Sequence, residues 1–353
     1  MPIATRAFAA PAADQPLAPY SFERRDPGPN DVVIAIKYCG VCHSDLHAAR
    51  SETGRSTYPL VPGHEIAGVV KTVGANVTRF KQGDRVGVGC MVDSCRECAS
   101  CQEGEEQYCA PGFTSTYGAR DKTGGTAEPI TQGGYSDHLT VDQHFVLSIP
   151  DSLPLDAAAP LLCAGVTTYS PLKEWKIGPG SKVAVIGLGG LGHMAVKLAA
   201  ALGAEVTVLS TSDRKKADAE RMGARHFLIN SDDAAMKAAA EKFDLIINTI
   251  SATHEIASHV RLLARDGTMV MLGLTTEALP VFALPLLRRR RRIAGSQIGG
   301  IRETQEMLDF CARHGIVCDI ETIAPHQIND AYERMLKSDV RYRFVIDMEK
   351  LAA

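Results

Sequence analysis

KVAVI-GLGGLG-HMAVKLAAAL, residues 182–202, is the stretch from which the fold can be read. Lys182–Ile186 is an unbroken apolar run of the kind that forms a strand buried on both faces. It leads straight into Gly187-Leu188-Gly189-Gly190-Leu191-Gly192, and Leu191–Leu202 then carries the Ala, Leu, Val and Met of a helix. A G-x-G-x-x-G set between strand and helix points to dinucleotide binding. The first glycine allows the tight turn, the second lets the backbone approach a pyrophosphate, and the third packs helix against strand. The helix N-terminus adds N–H donors and the positive end of its dipole. Outward from this unit, Glu205–Leu209, His226–Ile229, Phe243–Thr249 and Thr268–Gly273 read as further strands without alternation, each separated by a plausible helix. That order predicts a doubly wound parallel sheet covered on both faces.

The end of the second strand bears on which dinucleotide binds. A site for NAD places an acid there to bond the ribose 2′-hydroxyl. Here the strand ends in Ser210-Thr211-Ser212-Asp213-Arg214-Lys215-Lys216. Hydroxyls and cations suit a 2′-phosphate, and a helix N-terminus attracts it further. Asp213 lies beyond the strand end and reads as a helix N-cap. The expected cofactor is NADP(H).

Before about Pro150 the rhythm differs. Short β-branched runs at Asp31–Tyr38, Glu65–Val73, Gly83–Gly89 and Asp137–Leu147 are broken by Gly and Pro, which predicts a β-rich domain with irregular loops. Gly118–Gly134 is polar and glycine-rich and reads as a surface loop. The 353 residues suit two domains, and 45% hydrophobic residues with a net charge of −3 describe a globular chain with no bulk attraction to nucleic acid or an anionic membrane. No apolar run reaches a membrane span, which takes about 18 residues. The N-terminus lacks a basic start followed by an apolar core, so no secretory signal is read and a cytoplasmic location is expected.

Cys95, Cys98, Cys101 and Cys109 stand as C-x2-C-x2-C-x7-C within residues 93–110. Where thiols stay reduced, such a cluster reads as metal binding rather than cross-linking. Four thiolates form the closed tetrahedral shell of a structural zinc.

A second cysteine set has no such local logic. Cys42 lies in CGVCHSDLH (39–47), His64 in PGHEIAGVV (62–70) and Cys163 in LLCAGVTTYSPL (161–172). With GGYSDH (133–138), GLGGLGHMAVKLA (187–199), DVRYRFVIDM (339–348) and the four-cysteine lobe, these blocks run in order through nearly the whole chain. In them the chain resembles the zinc-dependent medium-chain alcohol dehydrogenases, in their cinnamyl-alcohol-dehydrogenase-like branch. The resemblance implies an α/β protein with a GroES-like β-rich catalytic domain over residues 1–157. It also implies a Rossmann doubly wound domain binding NADP over 158–294 and a return segment of the catalytic domain over 295–353. It implies two zinc ions per chain. Cys42, His64 and Cys163 would hold the catalytic one, with Glu65 the neighbour able to ligate transiently and Asp45 orienting His64. Ser44 would bond the alcohol, and the proton would pass by cofactor ribose hydroxyls to His47. His43 would touch the pyrophosphate, while Thr167 and Arg341 would flank the nicotinamide side and the phosphates.

The chemistry is coherent in itself. Hydride transfer needs an alcohol shorn of its proton or a carbonyl made more electrophilic, and zinc with two thiolates, one imidazole and an open position does both. The reading is an NADP(H)-dependent alcohol dehydrogenase and aldehyde reductase, with small-molecule alcohol or aldehyde substrates. Two rivals are an NAD-dependent polyol or secondary-alcohol dehydrogenase and a zinc protein that binds dinucleotide without catalysis. Retention of Cys42, His64, Cys163, Ser44 and His47 argues against the second. Cys39, Cys90, Cys311 and Cys318 read as ordinary small residues without a metal role, and His193 as helix surface. Arg288–Arg292, five arginines in a row, reads as a solvated face. The family implies a homodimer or other homo-oligomer with its two-fold near the strand that follows. Arginines facing their own copies there would repel unless acids interleave.

Overall fold

In a computed structural model describing residues 2–122, 130–275 and 277–352, the chain forms two compact units. One is Met1–Cys163 with Gly299–Ala353, and the other is Ala164–Ile298. Residues 123–129 of the Gly118–Gly134 stretch lie outside the described residues.

The first unit opens with a hairpin, β1 (Ile3–Ala9) against β2 (Ala18–Arg24). The long strand β3 (Asp31–Gly40) follows, then helix α1 (His43–Ala49). Next come β4 (Ile66–Val73), β5 (Arg85–Val88), β6 (Met91–Asp93), the one-turn helix α2 (Ala99–Glu103) and β7 (Thr114–Ser115). β8 (His138–Asp142), β9 (Leu147–Ser148) and the turn α3 (Leu155–Ala158) complete this stretch. Thus the single run expected over Asp137–Leu147 divides in two. Asp142 accepts from the His144 amide and caps a 3-10 turn there, which stops the strand. A second 3-10 turn, Ala159–Leu162, packs on β3, β4 and β5, so this unit runs on to Cys163.

In the second unit, helix α4 (Ala164–Glu174) precedes β10 (Lys182–Ile186), α5 (Gly192–Ala201), β11 (Glu205–Ser210), α6 (Lys216–Arg221) and β12 (His226–Ile229). It continues through α7 (Asp233–Ala238), β13 (Phe243–Asn248), α8 (Ala257–Val260), β14 (Leu263–Met271), α9 (Ala283–Leu287) and β15 (Arg292–Gly295). All its strand pairs are parallel, in the order β12-β11-β10-β13-β14-β15. This is the Rossmann order, with its switch point between β10 and β13. Ala184, Ile186, Leu209, Phe243, Ile246, Leu263 and Met269 form its core. β14 starts earlier than the apolar pattern predicts. Arg265-Asp266-Gly267 interrupts the run, and the register with β13 shifts between Phe243 and Leu245.

The arginine run is spent inside this unit. Arg289 pairs with Glu241, and Arg290 pairs with Asp266. Arg291 is buried and donates to the carbonyls of Leu263, Pro285 and Arg261. Arg288, Arg289, Arg290 and Arg292 stay exposed, as a solvated face requires, and Arg291 departs from it. His193, expected at the surface, is wholly buried in α5 with Nδ1 2.8 Å from the Gly190 carbonyl.

The first unit is completed by α10 (Ile301–His314), β16 (Ile320–Ile323), α11 (Ile328–Leu336) and β17 (Arg343–Asp347). α10 buries Thr304, Met307, Leu308 and Cys311 at the three- and four-residue spacing of one helix face. The main sheet runs β16-β17-β3-β4-β5-β9, with β8 also on β3. β8 takes Asp31–Ala35 of β3, whereas β17 takes Tyr38–Gly40.

Candidate active site and metal centres

Three separated segments of the first unit converge on one point. Cys42 caps α1 just after β3, His64 and Glu65 lie immediately before β4, and Cys163 follows the Ala159–Leu162 turn. One ligand atom from each of these four residues lies within 4.8 Å of all the others, and all four residues are buried. Two sulfurs, an imidazole nitrogen and a carboxylate oxygen suit zinc, whose catalytic sites keep three protein ligands and one open position. Hydrogen bonding with Cys163 draws the Cys42 thiol well below the ordinary thiol range, aided by Arg343 and His64. A sulfur so placed is readily ionised and ready to ligate.

Asp45, fully buried in α1, organises this set. Its Oδ1 accepts from the Gly63 amide at 3.0 Å and faces His64 Nδ1 at 3.1 Å, which leaves Nε2 of His64 for a metal. Its Oδ2 accepts from the Cys42 amide at 2.8 Å and from the Tyr135 hydroxyl at 3.2 Å. Glu65 is wholly buried and ion-paired to Arg343 of β17. Burial pushes the Glu65 carboxyl up to about 8, although Arg343 pulls the other way. Glu65 Oε2 keeps no hydrogen-bond partner among the described residues.

Of the proposed relay, Ser44 is exposed with Oγ 3.8 Å from Cys42 Sγ. His47 Nδ1 lies 2.5 Å from Glu52, and its ring centroid is 6.1 Å from that of exposed His43. Besides Tyr135, sequence reasoning missed three neighbours. Tyr117 lays its ring 5.6 Å from that of His64, Cys90 hydrogen-bonds Cys163, and Arg343 holds Glu65. Only Arg343 left a sequence signal, as a cation inside a closing β-strand; Arg341, two residues earlier, is exposed and outside that strand.

Cys95, Cys98, Cys101 and Cys109 also place their sulfurs within 4.8 Å of one another. The amides of Cys95, Cys98 and Ala110 donate to the sulfurs of Cys109, Cys95 and Cys98, each at 3.4 Å. Such donors favour thiolate, and those from Ala110 and Cys101 bring Cys98 down to about 6. The lobe is pinned on two sides. Arg96 bridges Asp93 and Asp142, while Glu106 accepts from the Ile301 amide at 3.0 Å and meets His144 at 3.0 Å.

In the second unit the glycine turn has the shape a pyrophosphate needs. Gly187 adopts φ +87°, and a Cβ on Gly192 would stand 2.0 Å from the Gly187 carbonyl oxygen. A Cβ on Gly189 would meet nothing within 4 Å, so the turn is open on that side. Thr249, at the end of β13, donates to the Ile186 carbonyl at 2.8 Å and braces the turn; the sequence offered no signal for it. Lys215 donates to the Leu188 carbonyl at 2.9 Å, which sets its cation beside the loop. β11 ends at Ser210 with no acid, and Ser212 rather than Asp213 caps the 3-10 turn that follows, where Arg214 Nε lies 3.3 Å from the Ser212 hydroxyl. Thr211 lies between them in the bend. Thr167 is buried in α4, its hydroxyl without a partner among the described residues.

Comparison with known proteins gives concordant matches. Residues 28–151 match the alcohol dehydrogenase GroES-like domain family, and residues 190–313 match the zinc-binding dehydrogenase family. The chain is 57% identical to NADP-dependent alcohol dehydrogenase C of Mycobacterium tuberculosis, over 98% of this chain and 99% of that protein. Its fold superposes on a cinnamyl alcohol dehydrogenase of Sorghum bicolor with a TM-score of 0.94 at 48% identity, covering 98% of both chains. A Helicobacter pylori cinnamyl alcohol dehydrogenase complexed with NADP(H) gives a TM-score of 0.92 at 43% identity, covering 99% of each.

Proposed function

The chain belongs to the zinc-binding alcohol dehydrogenases that carry a GroES-like domain, and from that premise we propose that it interconverts primary alcohols and aldehydes with NADP(H). The observation that carries this reading is the buried convergence of Cys42, His64 and Cys163. A zinc ion held there supplies Lewis acidity to the substrate oxygen, and the bound nicotinamide supplies or takes the hydride.

The chain's own groups do the rest. Arg343 holds Glu65 with a carboxylate oxygen within 4.8 Å of the Cys42, His64 and Cys163 ligand atoms. The Ser44 hydroxyl bonds the alcohol and hands its proton toward His47, which Glu52 orients for release to water. The turn Gly187–Gly192, with Leu188 and Leu191 between its glycines, presents amides to the pyrophosphate together with His43. Ser210, Thr211, Ser212 and Lys215 receive the 2′-phosphate, and Thr167 and Arg341 take the nicotinamide and phosphate sides.

A steady-state panel of cinnamyl, benzyl and straight-chain aldehydes, run with NADPH and with NADH, tests the reading. Hydrogen bonds to charged groups contribute ~1.5–3 kcal/mol, so NADPH is expected to win by about tenfold or more. A preference for NADH with polyol substrates overturns the cofactor assignment, and no turnover with any pair overturns the enzyme.

A homodimer or other homo-oligomer is supported by the open edge of β15 and by the exposed Leu274, Val281, Phe282, Leu284 and Leu287 in the same unit. A monomeric mass by light scattering at micromolar concentration rejects it. Cytoplasmic residence is supported by ten cysteines that form no disulfide among the described residues, and no helix of the described residues is long and apolar enough to cross a membrane. Recovery in a secreted fraction rejects it.

A further inference from the structure

Asp45 is fully buried and accepts four hydrogen bonds, two on each carboxylate oxygen. Three of the donors belong to the ligand-bearing segments themselves: the amides of Cys42 and Gly63 and the ring of His64. The fourth, the Tyr135 hydroxyl, comes from elsewhere in the chain, from the segment that leads into β8. Tyr135 has no freedom to leave. Its side chain is 0% exposed, and its own amide donates to Pro62 at 3.0 Å. Gly133 and Gly134 donate to Val61 and Gly63 at 2.7 and 2.8 Å, and the Tyr135 carbonyl accepts from Phe8 at 2.9 Å. Main chain and side chain of Gly133–Tyr135 therefore grip the same two objects, the loop that carries His64 and the carboxylate that orients it.

We propose that Tyr135 is a positioning residue for the catalytic metal site, its hydroxyl fixing the plane of Asp45 and through it the ring of His64. The proposal rests on the reading of Cys42, His64 and Cys163 as zinc ligands. Without the hydroxyl, Oδ2 keeps a single anchor, the Cys42 amide, and the carboxylate is freer to turn about its Cβ–Cγ bond. Partners that orient metal ligands typically change metal affinity 10–100-fold when removed, and a group acting one bond further out acts more weakly.

The test is zinc release from the intact holoenzyme into a colorimetric chelator. Wild type is expected to release two zinc ions per chain in two phases, one from the four-cysteine lobe and one from the Cys42 site. Tyr135→Phe keeps the ring and removes the hydroxyl. It is expected to speed the Cys42-site phase by roughly 3–10-fold while leaving the lobe phase unchanged, below the range for a direct partner. Thr268→Val is the control: it deletes a buried hydroxyl in the other unit that has no hydrogen-bond partner among the described residues, and both phases should stay as in wild type. An unchanged or slower Cys42-site phase in Tyr135→Phe overturns the proposal, and so does parallel acceleration of both phases, which marks general loosening. A double-mutant cycle decides independently, because Tyr135→Phe should add nothing in an Asp45→Asn background, whereas additive effects overturn the assignment. If wild type releases only the lobe zinc, the metal-site reading itself fails, which is a different result from an unaltered variant.

Discussion

Ser210 ends β11 where a site for the unphosphorylated cofactor would place an acid, and Lys215 stands beside the same loop. Replacing Ser210 with Asp puts a carboxylate where we propose the 2′-phosphate sits, a like-charge juxtaposition that costs several kcal/mol. Catalytic efficiency with NADPH should fall on the order of a hundredfold while that with NADH holds or improves, measured as kcat/KM for both. His47, oriented by Glu52, has a different signature. His47→Gln should slow alcohol oxidation near neutral pH by ~10²-fold or less, with partial recovery at higher pH as hydroxide takes the proton directly. If the pH profile keeps its shape and only NADP binding weakens, the residue packs and does not relay. Legibility at this scale followed distance along the chain. Cys95, Cys98, Cys101 and Cys109 announced themselves by spacing alone, because one loop supplies the whole shell. Cys42, His64 and Cys163 did not, because three separated segments must fold before they meet, and resemblance alone singled them out. Tyr135 and Arg343 were illegible as partners for the same reason, since each acts on a residue far away in sequence.

Among the elements, the parallel sheet was readable from its uninterrupted apolar strands, and the antiparallel unit only in part. The β1–β2 hairpin escaped because IATRAFA and APYSFER hold only two β-branched residues, Ile3 and Thr5, and are only partly buried. The start of β14 escaped because Arg265-Asp266-Gly267 breaks its apolar run. The docking of the four-cysteine lobe onto α10 has no sequence signature, since backbone groups make much of it. A Cβ on Gly300, the residue capping α10, would stand 1.8 Å from the Gly104 carbonyl oxygen in the lobe. Gly300→Ala is therefore expected to destabilise the protein by ~1–3 kcal/mol, the usual cost of overpacking, with release of the lobe zinc accelerated as well. Thermal unfolding measures the first and chelator kinetics the second; an unshifted melting temperature contradicts the close packing.

For the molecule as a whole, two metal centres in one unit imply two separate failures. Structural zinc contributes directly to folding energy, so Cys101→Ser should give a protein that unfolds at lower temperature or fails to accumulate. Cys163→Ala should leave a folded chain that still binds NADPH and turns over no substrate. Elemental analysis should find two zinc ions per wild-type chain and one in Cys163→Ala. Full activity with a single zinc would contradict the division of labour.

The pairing along β3 has a consequence for how the chain is made. Its Asp31–Ala35 half is matched by β8, but its Tyr38–Gly40 half is matched by β17, from the far end of the sequence. During synthesis on the ribosome, Ala164–Ile298 emerges as one contiguous piece and has all its strands to hand. The earlier-made sheet meanwhile waits with bare backbone groups along Tyr38–Gly40, and Glu65 waits without Arg343, until the last strand is translated. A nascent chain stalled before Arg343 should thus carry a protease-resistant middle and a vulnerable beginning, an inversion of the usual order in which the N-terminus matures first.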